Sequence, residues 1–256
     1  MTLPTAREPL VALTHSQGAL TGLPQLLEER GLAVTHTPLL QAVPRDDEET
    51  RAGAKALLQC PWLLITSRNT VNALRSLGVD LADDKAPFIG AVGPGTAAAL
   101  EEMGASADLI ADYFDGEGLA RAFLAHPQAR GPVGLPRGNR ALPTLEERLR
   151  EAGYEVRTVT VYDTEELAWR GPTAAVVVLA SPSAVEALPA ALAGSARLVA
   201  IGETTRKAIE ERGWRCEVAP SATTEGVAVA VERAVRARAA QSQAVKAPAP
   251  SEAAKP

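Results

Sequence analysis

The sequence is short of cysteine, histidine and aromatic residues, and each shortage restricts what the protein can be. Its 256 residues include 2 cysteines and 3 histidines. Two cysteines cannot form a disulfide framework, and no Cys/His cluster has metal-ligand spacing, so we expect no metal site. Aromatic residues make up 4% against 46% hydrophobic residues in total. The core must therefore be built mainly from Ala, Val and Leu.

The sequence also lacks an excess of positive charge and a long hydrophobic run. There are 26 basic against 31 acidic residues, the net charge is -5, and no basic stripe stands out. This balance disfavours binding to nucleic acid through phosphate contacts. No signal-peptide run precedes Pro9, and apolar runs such as 174–180 are too short to cross a bilayer. We expect a soluble cytoplasmic protein with neither a nucleic-acid nor a membrane partner.

Short β-type runs alternate with amphipathic helical stretches through most of the chain. Examples of predicted strands are Trp62–Thr66, Val133–Leu135 and Glu155–Tyr162, and helices are predicted at Thr70–Leu77 and Thr204–Arg212. Such alternation predicts an α/β fold with parallel sheets and helices on both faces. The segment 236–256 is rich in Ala, Pro, Lys, Gln and Ser without a regular apolar face, so we expect a disordered tail.

The chain contains two copies of one α/β unit. Val11 and Val133 each open a strand, and the helix that follows ends in a glycine at the same spacing, Gly31 or Gly153. Three further segments recur in the same order: 65–74 with 179–188, 91–96 with 200–205, and 115–119 with 223–227. Two copies predict two similar domains with a ligand cleft between them.

Serine turns follow one strand in each copy. Ser67, with Asn69, and Ser181, with Ser183, stand at predicted helix starts. Two interpretations are open. The hydroxyl groups act as N-caps alone, or the same turns also present free backbone N–H groups to an anion.

Glycine turns follow the next strand in each copy. Gly93 is followed by Thr96, and Gly202 by Thr204 and Thr205. A tight turn needs glycine in any case, but repetition beside a matched serine turn favours close backbone approach to a ligand. Neither turn is a Walker loop or a G-x-G-x-x-G fingerprint, so we expect no nucleotide and no other cofactor.

A third turn and a tyrosine complete the candidates. Arg137, Gly138 and Arg140 follow a strand, where they form either a carboxylate-binding turn or an ordinary solvated loop. Tyr162 ends a strand at the junction of the two copies; it serves either in packing or as a donor to a leaving oxygen. No G-x-S-x-G elbow is present, and the carboxylates at 46–49 are read as a solvated helix cap.

The order of these short motifs resembles the uroporphyrinogen-III synthase family over about residues 9–234. The motifs that carry the resemblance are Thr-Ser-x-Asn-x-Val at 66–71, Ala-Val-Gly at 91–93, Pro-Arg-Gly at 136–138, Val-Tyr-x-Thr at 161–164, Ser-Pro-Ser-Ala-Val at 181–185, Ala-Ile-Gly-x-Thr-Thr at 200–205 and Thr-Glu-Gly at 224–226. The first copy departs from the second, with Pro94 and Gly95 in place of Glu203 and Thr204.

The resemblance implies two flavodoxin-like domains joined by a two-stranded β-ladder. One domain is discontinuous, residues 1–40 with 165–235, and the other is inserted, residues 44–160. The ladder strands are expected near 39–44 and 159–165. It also implies a monomer whose small-molecule substrate is hydroxymethylbilane, a linear tetrapyrrole with eight carboxylates.

The implied reaction is cyclisation with loss of water and inversion of ring D, giving uroporphyrinogen III. Tyr162 is the implied catalytic residue, with Arg68 and Arg140 as further aids to substrate binding. The implied substrate-binding residues are Ser67, Asn69, Gly93, Thr96, Arg137, Gly138, Ser181, Ser183, Gly202, Thr204 and Thr205. Two alternatives are a non-catalytic two-domain protein that binds a small anion, which usually carries an export signal, and a receiver domain, which needs a phosphoacceptor Asp at a strand end.

Overall fold

The computed structural model describes residues 8–15, 20–83 and 85–246, which form a mixed α/β fold. The predicted class, parallel sheets with helices, is confirmed. The elements in chain order are β1 (Leu10–Leu13), α1 (Leu23–Glu29), β2 (Ala33–His36), β3 (Leu40–Pro44), α2 (Glu48–Ala56), a short 3-10 helix (Leu57–Gln59), β4 (Trp62–Ile65), α3 (Arg68–Ser76), β5 (Phe88–Ala91), α4 (Pro94–Glu101), β6 (Leu109–Ile110), α5 (Gly116–Ala125), β7 (Val133–Gly138), α6 (Thr144–Glu151), β8 (Val156–Glu166), β9 (Val176–Leu179), α7 (Pro182–Glu186), α8 (Ala190–Ser195), β10 (Arg197–Ala200), α9 (Glu203–Glu211), β11 (Cys216–Val218) and α10 (Thr224–Lys246).

The chain divides into two compact units. Ala42–Glu165 form one of them, the inserted unit. The described residues up to Gln41 and from Glu166 to Lys246 form the other, the terminal unit. Each unit has its own sheet, and the main chain passes from one unit to the other twice.

The sheet of the inserted unit has the order β3-β8-β7-β4-β5-β6. Strands β8 to β6 pair in parallel, and alternate residues of β4 enter different cores. Trp62 and Leu64 pack with α5 and α6, whereas Leu63 and Ile65 pack with α3 and α4. Side chains alternate between the faces of a strand, so a buried apolar run such as β4 requires helices on both faces.

The sheet of the terminal unit has the order β11-β10-β9-β1-β2, with all pairs parallel. Its central strand β9 alternates in the same way. Val176 and Val178 pack with α1 and α10, and Val177 and Leu179 pack with α7 and α9. The unit is therefore also a three-layer α/β body.

The two sheets have equivalent strand orders, and each sheet is built from strands of both sequence copies. The terminal unit combines β1 and β2 of the first copy with β9, β10 and β11 of the second. The inserted unit combines β7 and β8 of the second copy with β4, β5 and β6 of the first. In each sheet the strand order reverses direction at one point, between β7 and β4 or between β1 and β9. Ligands of open α/β sheets bind at such switch points, outside the carboxyl ends of the strands.

Strand β3 forms one edge of the larger sheet and neighbours β8. The Leu167 N–H donates to the Leu39 carbonyl at 2.8 Å and the Arg45 N–H to the Val161 carbonyl at 3.0 Å, so the two strands run antiparallel. Arg45 Nε and Nη2 each donate to the Asp163 carboxylate at 2.8 Å. This hydrogen bonding lowers the pKa of the Asp163 carboxyl. A bidentate pair thus holds β8 one residue beyond Tyr162.

The C-terminal helix corrects one prediction. Disorder was expected from residue 236, but α10 continues to Lys246. Arg238 Nη1 donates to the Ser195 carbonyl at 2.6 Å, so the helix is fastened to the terminal unit beyond its apolar face. The prediction of disorder from composition was wrong here because Ala, Arg and Gln are also strong helix formers. The rest of the predicted tail, 247–256, lies outside the described residues.

This contact gives a stability prediction. Replacing Arg238 with Ala should lower the free energy of unfolding by about 1 kcal/mol, because the Ser195 carbonyl loses a charged donor. The matched control is Arg236→Ala on the same helix, since the side chain of Arg236 is 79% exposed and pairs with Glu232 at 3.5 Å. The control should change the free energy of unfolding by only about 0.5 kcal/mol or less. Equal losses in urea unfolding of the two variants would contradict the anchoring role.

Candidate functional site

Four helices begin directly after parallel strands, at the carboxyl edges of the sheets. In the inserted unit Ser67 caps α3 and Gly93 caps α4. In the terminal unit Ser181 caps α7 and Gly202 caps α9. The first N–H groups of a helix have no intrahelical acceptor and lie at the positive end of its dipole. Each edge therefore presents main-chain donors suited to an anion.

The predicted binding residues occupy equivalent places in these first turns. Asn69, Ser183 and Thr204 are each the second helical residue. Thr96 and Thr205 are each the third, and both are buried. The internal repeat thus reproduces the local geometry in both units, which the sequence pairs had indicated.

The serine turns are N-caps. Ser67 Oγ accepts from the Thr70 N–H at 3.1 Å, and Ser181 Oγ accepts from the Ala184 N–H at 3.2 Å. The capping interpretation is confirmed, and each cap occupies the N–H of the third helical residue. The preceding N–H groups stay available, although Pro182 supplies none and α7 has only 5 residues. Helix α3, with 9 residues, has the larger dipole of the two.

The glycine turns differ from each other in their surroundings. Both glycines have extended backbones, with φ of 176° at Gly93 and -172° at Gly202, so neither conformation requires glycine. A Cβ at Gly202 would meet nothing within 4 Å, whereas one at Gly93 would lie 3.0 Å from Cδ1 of Phe114. The space beside Gly202 is open, and that beside Gly93 is covered by an aromatic ring.

The arginines of the third turn have different surroundings. Arg137 Nη1 donates to Glu146 at 2.8 Å, so its charge is paired within the protein. Arg140 is exposed. Arg68, after Ser67, makes long contacts of 3.4 Å to Glu102 and 3.5 Å to the Gly95 carbonyl. The more loosely held Arg68 is better placed than Arg137 to meet an added carboxylate.

Gly138 and Tyr162 are packed against each other on neighbouring strands. The register of β7 and β8 shifts between Arg137 and Gly138, so that Gly138 lies opposite Tyr162. A Cβ at Gly138 would lie 2.4 Å from Tyr162 Cζ and 2.7 Å from its hydroxyl oxygen. No side chain fits there without displacing the ring. Gly138 therefore makes room for the phenol.

This position corrects the predicted turn. The strand was expected to end at Leu135, with Gly138 in the loop beyond it, but β7 runs to Gly138. The register shift allows the extra pairing, because β8 advances by two residues where β7 advances by one. Gly138 is buried, so its contact is with the tyrosine ring.

The Tyr162 hydroxyl belongs to a short chain of hydroxyl groups. Its oxygen lies 3.3 Å from Ser67 Oγ, which lies 3.0 Å from Thr70 Oγ1. The ring packs against the core while the residue stays partly exposed. A phenol held in this way can donate a hydrogen bond or a proton to a ligand oxygen, with the serine oxygen close to the charge that develops.

A pocket at the switch point of the inserted unit was missed by the sequence analysis. Its volume is about 410 Å³. It is lined by Thr66, Val92, Phe114, Asp115, Gly116, Glu117, Ala141, Leu142, Thr144 and Leu145. The signal that could have revealed it was the pair Tyr113 and Phe114, placed next to each other in a loop of a chain with few aromatic residues.

A second pocket, of about 700 Å³, lies in the terminal unit at the end of β2. His36, Thr37 and Arg170 are among its lining residues, and the His36 ring lies 5.1 Å from that of His15. The histidines, which appear scattered in the sequence, thus include one neighbouring pair at a strand edge.

Metal and thiol chemistry find little support in the part of the chain that is described. There, no three His, Cys, Asp or Glu side chains are grouped so that they could hold a metal ion. Burial raises the pKa of the Cys216 thiol to about 11 and also raises that of Cys60. Both thiols are therefore protonated at neutral pH. Within the same ranges, no helix has the length and hydropathy needed to cross a membrane.

The comparison with known proteins identifies the family. The family model described as "Uroporphyrinogen-III synthase HemD" matches residues 22–229. The chain belongs to the uroporphyrinogen-III synthase family. A curated member, "Porphyrin biosynthesis protein HemD" of Ruminiclostridium josui, is 30% identical over 118 residues, which cover 43% of this chain and 23% of the relative. The matched part thus spans about a quarter of that relative's length.

Solved structures of this synthase family share the fold. A mutant uroporphyrinogen III synthase from the extremely thermophilic bacterium Thermus thermophilus has a TM-score of 0.58 at 22% identity, covering 90% of this chain and 99% of its own. The uroporphyrinogen-III synthetase of Helicobacter pylori 26695 has a TM-score of 0.59 at 17% identity, covering 91% and 100%. At these sequence identities, the structural similarity supports the fold of this chain.

The packing of Gly138 against the phenol is testable by a double-mutant cycle. Gly138→Ala should lower the free energy of unfolding by about 1–3 kcal/mol, because the added Cβ overlaps the Tyr162 ring. In a Tyr162→Ala background the same change should cost much less, since the ring is gone. The four proteins are compared by urea unfolding. Equal costs of Gly138→Ala in both backgrounds would show that the two residues are not coupled.

Proposed function

We propose that this chain is a uroporphyrinogen-III synthase that cyclises hydroxymethylbilane with loss of water and inversion of ring D. Family membership over residues 22–229 supports the proposal. The observation that carries it is the placement of the Tyr162 hydroxyl 3.3 Å from Ser67 Oγ, beside the first turn of α3. A proton donor and main-chain anion donors are thus brought to one sheet edge.

The two units are proposed to be the two flavodoxin-like domains of this synthase. The strand orders support this. Strands β2-β1-β9-β10-β11 of one unit and β8-β7-β4-β5-β6 of the other each follow the order found in flavodoxin-like folds. Strands β3 and β8 would serve as the joining ladder, since the chain passes between the units within them. The working protein is proposed to be a cytoplasmic monomer.

Substrate binding is proposed to rely on main-chain donors. A protein with net charge -5 must attract a polycarboxylate locally. The first turns of α3, α4 and α9 supply N–H groups at Asn69, Gly95 and Thr204, and a smaller contribution comes from Ser183 in α7. Such donors are fixed by the helices, so they lose little freedom when the substrate binds.

The chemical step is proposed to start at Tyr162. Its phenol donates a proton to the terminal hydroxyl of the substrate, which leaves as water, so that an electrophilic azafulvenium cation and a phenolate are formed. The substituted α-carbon of ring D attacks the methylene carbon of that cation and gives a spiro intermediate. The bond from the same α-carbon to the methylene bridge of ring C then breaks, and the methylene carbon left on ring C is attacked by the unsubstituted α-carbon of ring D, so that ring D closes inverted. The proton released when the ring regains aromaticity restores the phenol. Ser67 Oγ, 3.3 Å away, stabilises the phenol oxygen between these steps.

Control of geometry is the larger part of the proposed catalysis. The linear substrate also closes unaided to the symmetrical isomer, so the protein must favour one conformation over another. Thr205, buried at the third position of α9, is proposed to orient the substrate there.

An isomer-resolved assay tests the function. Hydroxymethylbilane is incubated with the protein and isomers I and III of the product are separated. The proposal predicts that isomer III predominates and that its rate is proportional to protein concentration. Formation of isomer I at the spontaneous rate, with ligand binding retained, would favour the alternative of a non-catalytic anion-binding protein.

The same assay tests Tyr162. Tyr162→Phe should slow formation of isomer III several-fold and not abolish it, because the substrate can still lose hydroxide unaided. Its thermal unfolding should stay close to that of the parent protein. Tyr154→Phe is the matched control, since Tyr154 packs edge-on against Phe123 at 5.2 Å in the inserted unit. Unchanged kinetics for Tyr162→Phe would remove the phenol from the mechanism.

The open space at Gly202 gives a binding test. Gly202→Ala should leave stability nearly unchanged, because the new methyl group meets no atom within 4 Å. It should raise KM by roughly tenfold, because the methyl group blocks close approach of the substrate to the α9 first turn. Gly194→Ala serves as control, since a Cβ there also meets nothing within 4 Å. A KM that changes equally in the two variants would argue against binding at α9.

A further inference from the structure

Two strongly exposed apolar side chains line the 410 Å³ pocket of the inserted unit. Phe114 is 66% exposed and Leu142 is 80% exposed. Neither side chain stabilises the fold by burial to any large extent, because most of its surface remains in water. Exposed apolar residues that gather around a concave surface are typical of a binding site.

The position of the pocket also indicates a ligand site. It opens at the carboxyl ends of β4 and β7, where the strand order of the sheet reverses. Leu142 comes from the loop after β7, and Phe114 from the segment before α5. The volume of about 410 Å³ falls in the usual range for small-molecule pockets, roughly 300–1,000 Å³.

The acidic residues of the pocket are already engaged. Asp115 caps α5 by accepting from the Gly118 N–H at 2.7 Å. Glu117 accepts from Arg148 Nε at 2.7 Å and Nη2 at 3.0 Å, which lowers the pKa of the Glu117 carboxyl. Their charges are thus partly offset within the protein, and the walls offer apolar surface with hydroxyl groups from Thr66 and Thr144.

Phe114 and Thr66 connect the pocket to the site described above. The Phe114 ring covers Gly93, where an added Cβ would lie 3.0 Å from Cδ1 of the ring. Thr66 lines the pocket, and the next residue, Ser67, contacts the Tyr162 hydroxyl. The pocket wall and the Tyr162 hydroxyl, which belongs to β8, therefore both lie next to the residues that follow β4.

We propose that this pocket binds one pyrrole ring of the linear tetrapyrrole between Phe114 and Leu142, and that it thereby positions the chain for ring closure. The proposal rests on the proposed function. A pyrrole ring has flat, electron-rich apolar faces that pack well against an aromatic ring and an aliphatic side chain. The hydroxyl groups of Thr66 and Thr144, which line the pocket, are hydrogen-bond donors suited to the carboxylate arms of the ring.

The test uses the full chain and hydroxymethylbilane. Phe114→Ala and Leu142→Ala should each raise KM by about three- to tenfold, and the fraction of isomer I should rise as the ring loses its anchor. Phe114→Tyr should retain the parent KM, because it keeps the aromatic face. Leu124→Ala is the matched control: Leu124 is 40% exposed on α5 and does not line this pocket. Thermal unfolding should be nearly unchanged in the three pocket variants, and Leu124→Ala should unfold at a slightly lower temperature, because its side chain is partly buried.

Three outcomes would overturn the proposal. One is a parent-like KM and isomer ratio in both alanine variants while the parent protein makes isomer III, which would leave the proposed function intact. Another is an equal effect of Leu124→Ala. The third is sedimentation of the parent as a dimer that Leu142→Ala dissociates, which would assign this surface to a second copy of the chain. Absence of isomer III with the parent protein would instead refute the proposed function itself.

Discussion

Parallel pairing of strands is the constraint on which the rest of the structure depends. In a parallel sheet every strand ends at the same edge, and the helix that follows begins there. Ser67 and Gly93 in the inserted unit, and Ser181 and Gly202 in the terminal unit, are all helix caps for this reason. Main-chain donors are therefore collected at the carboxyl edges of both sheets. A polycarboxylate substrate suits such an edge.

Close packing at the sheet edge of the inserted unit then fixes the position of the Tyr162 phenol. The register shift in β7 and β8 brings Tyr162 against Gly138, and the absence of a Cβ at Gly138 lets the phenol reach Ser67. The ion pair of Arg45 and Asp163 holds the same strand one residue further on. The phenol is thus oriented by backbone pairing and packing, so a single hydroxyl group can act where the helices are proposed to bind the substrate.

The sequence allowed much of this to be predicted, because repeated local patterns have local causes. Serine and glycine before amphipathic runs predicted the caps, and the order of paired segments predicted two similar α/β sheets. The extent of β7 was not predictable, since it depends on a register shift between distant strands. The contact of Arg238 on α10 with the Ser195 carbonyl joins residues far apart in the sequence and was not predictable either. Phe114 and Leu142 were missed because loop residues carry no periodic signal, and only the folded chain brings them to one pocket.

The central claim, that main-chain donors hold the polycarboxylate, is tested most directly by amide-resolved NMR. The 15N-labelled chain would be titrated with the cyclised octacarboxylate product. The account predicts the largest shifts at the N–H groups of Asn69, Gly95 and Thr204, with slower hydrogen exchange at those positions. Shifts confined to arginine and lysine side chains elsewhere, with these three amides unchanged at saturation, would contradict it.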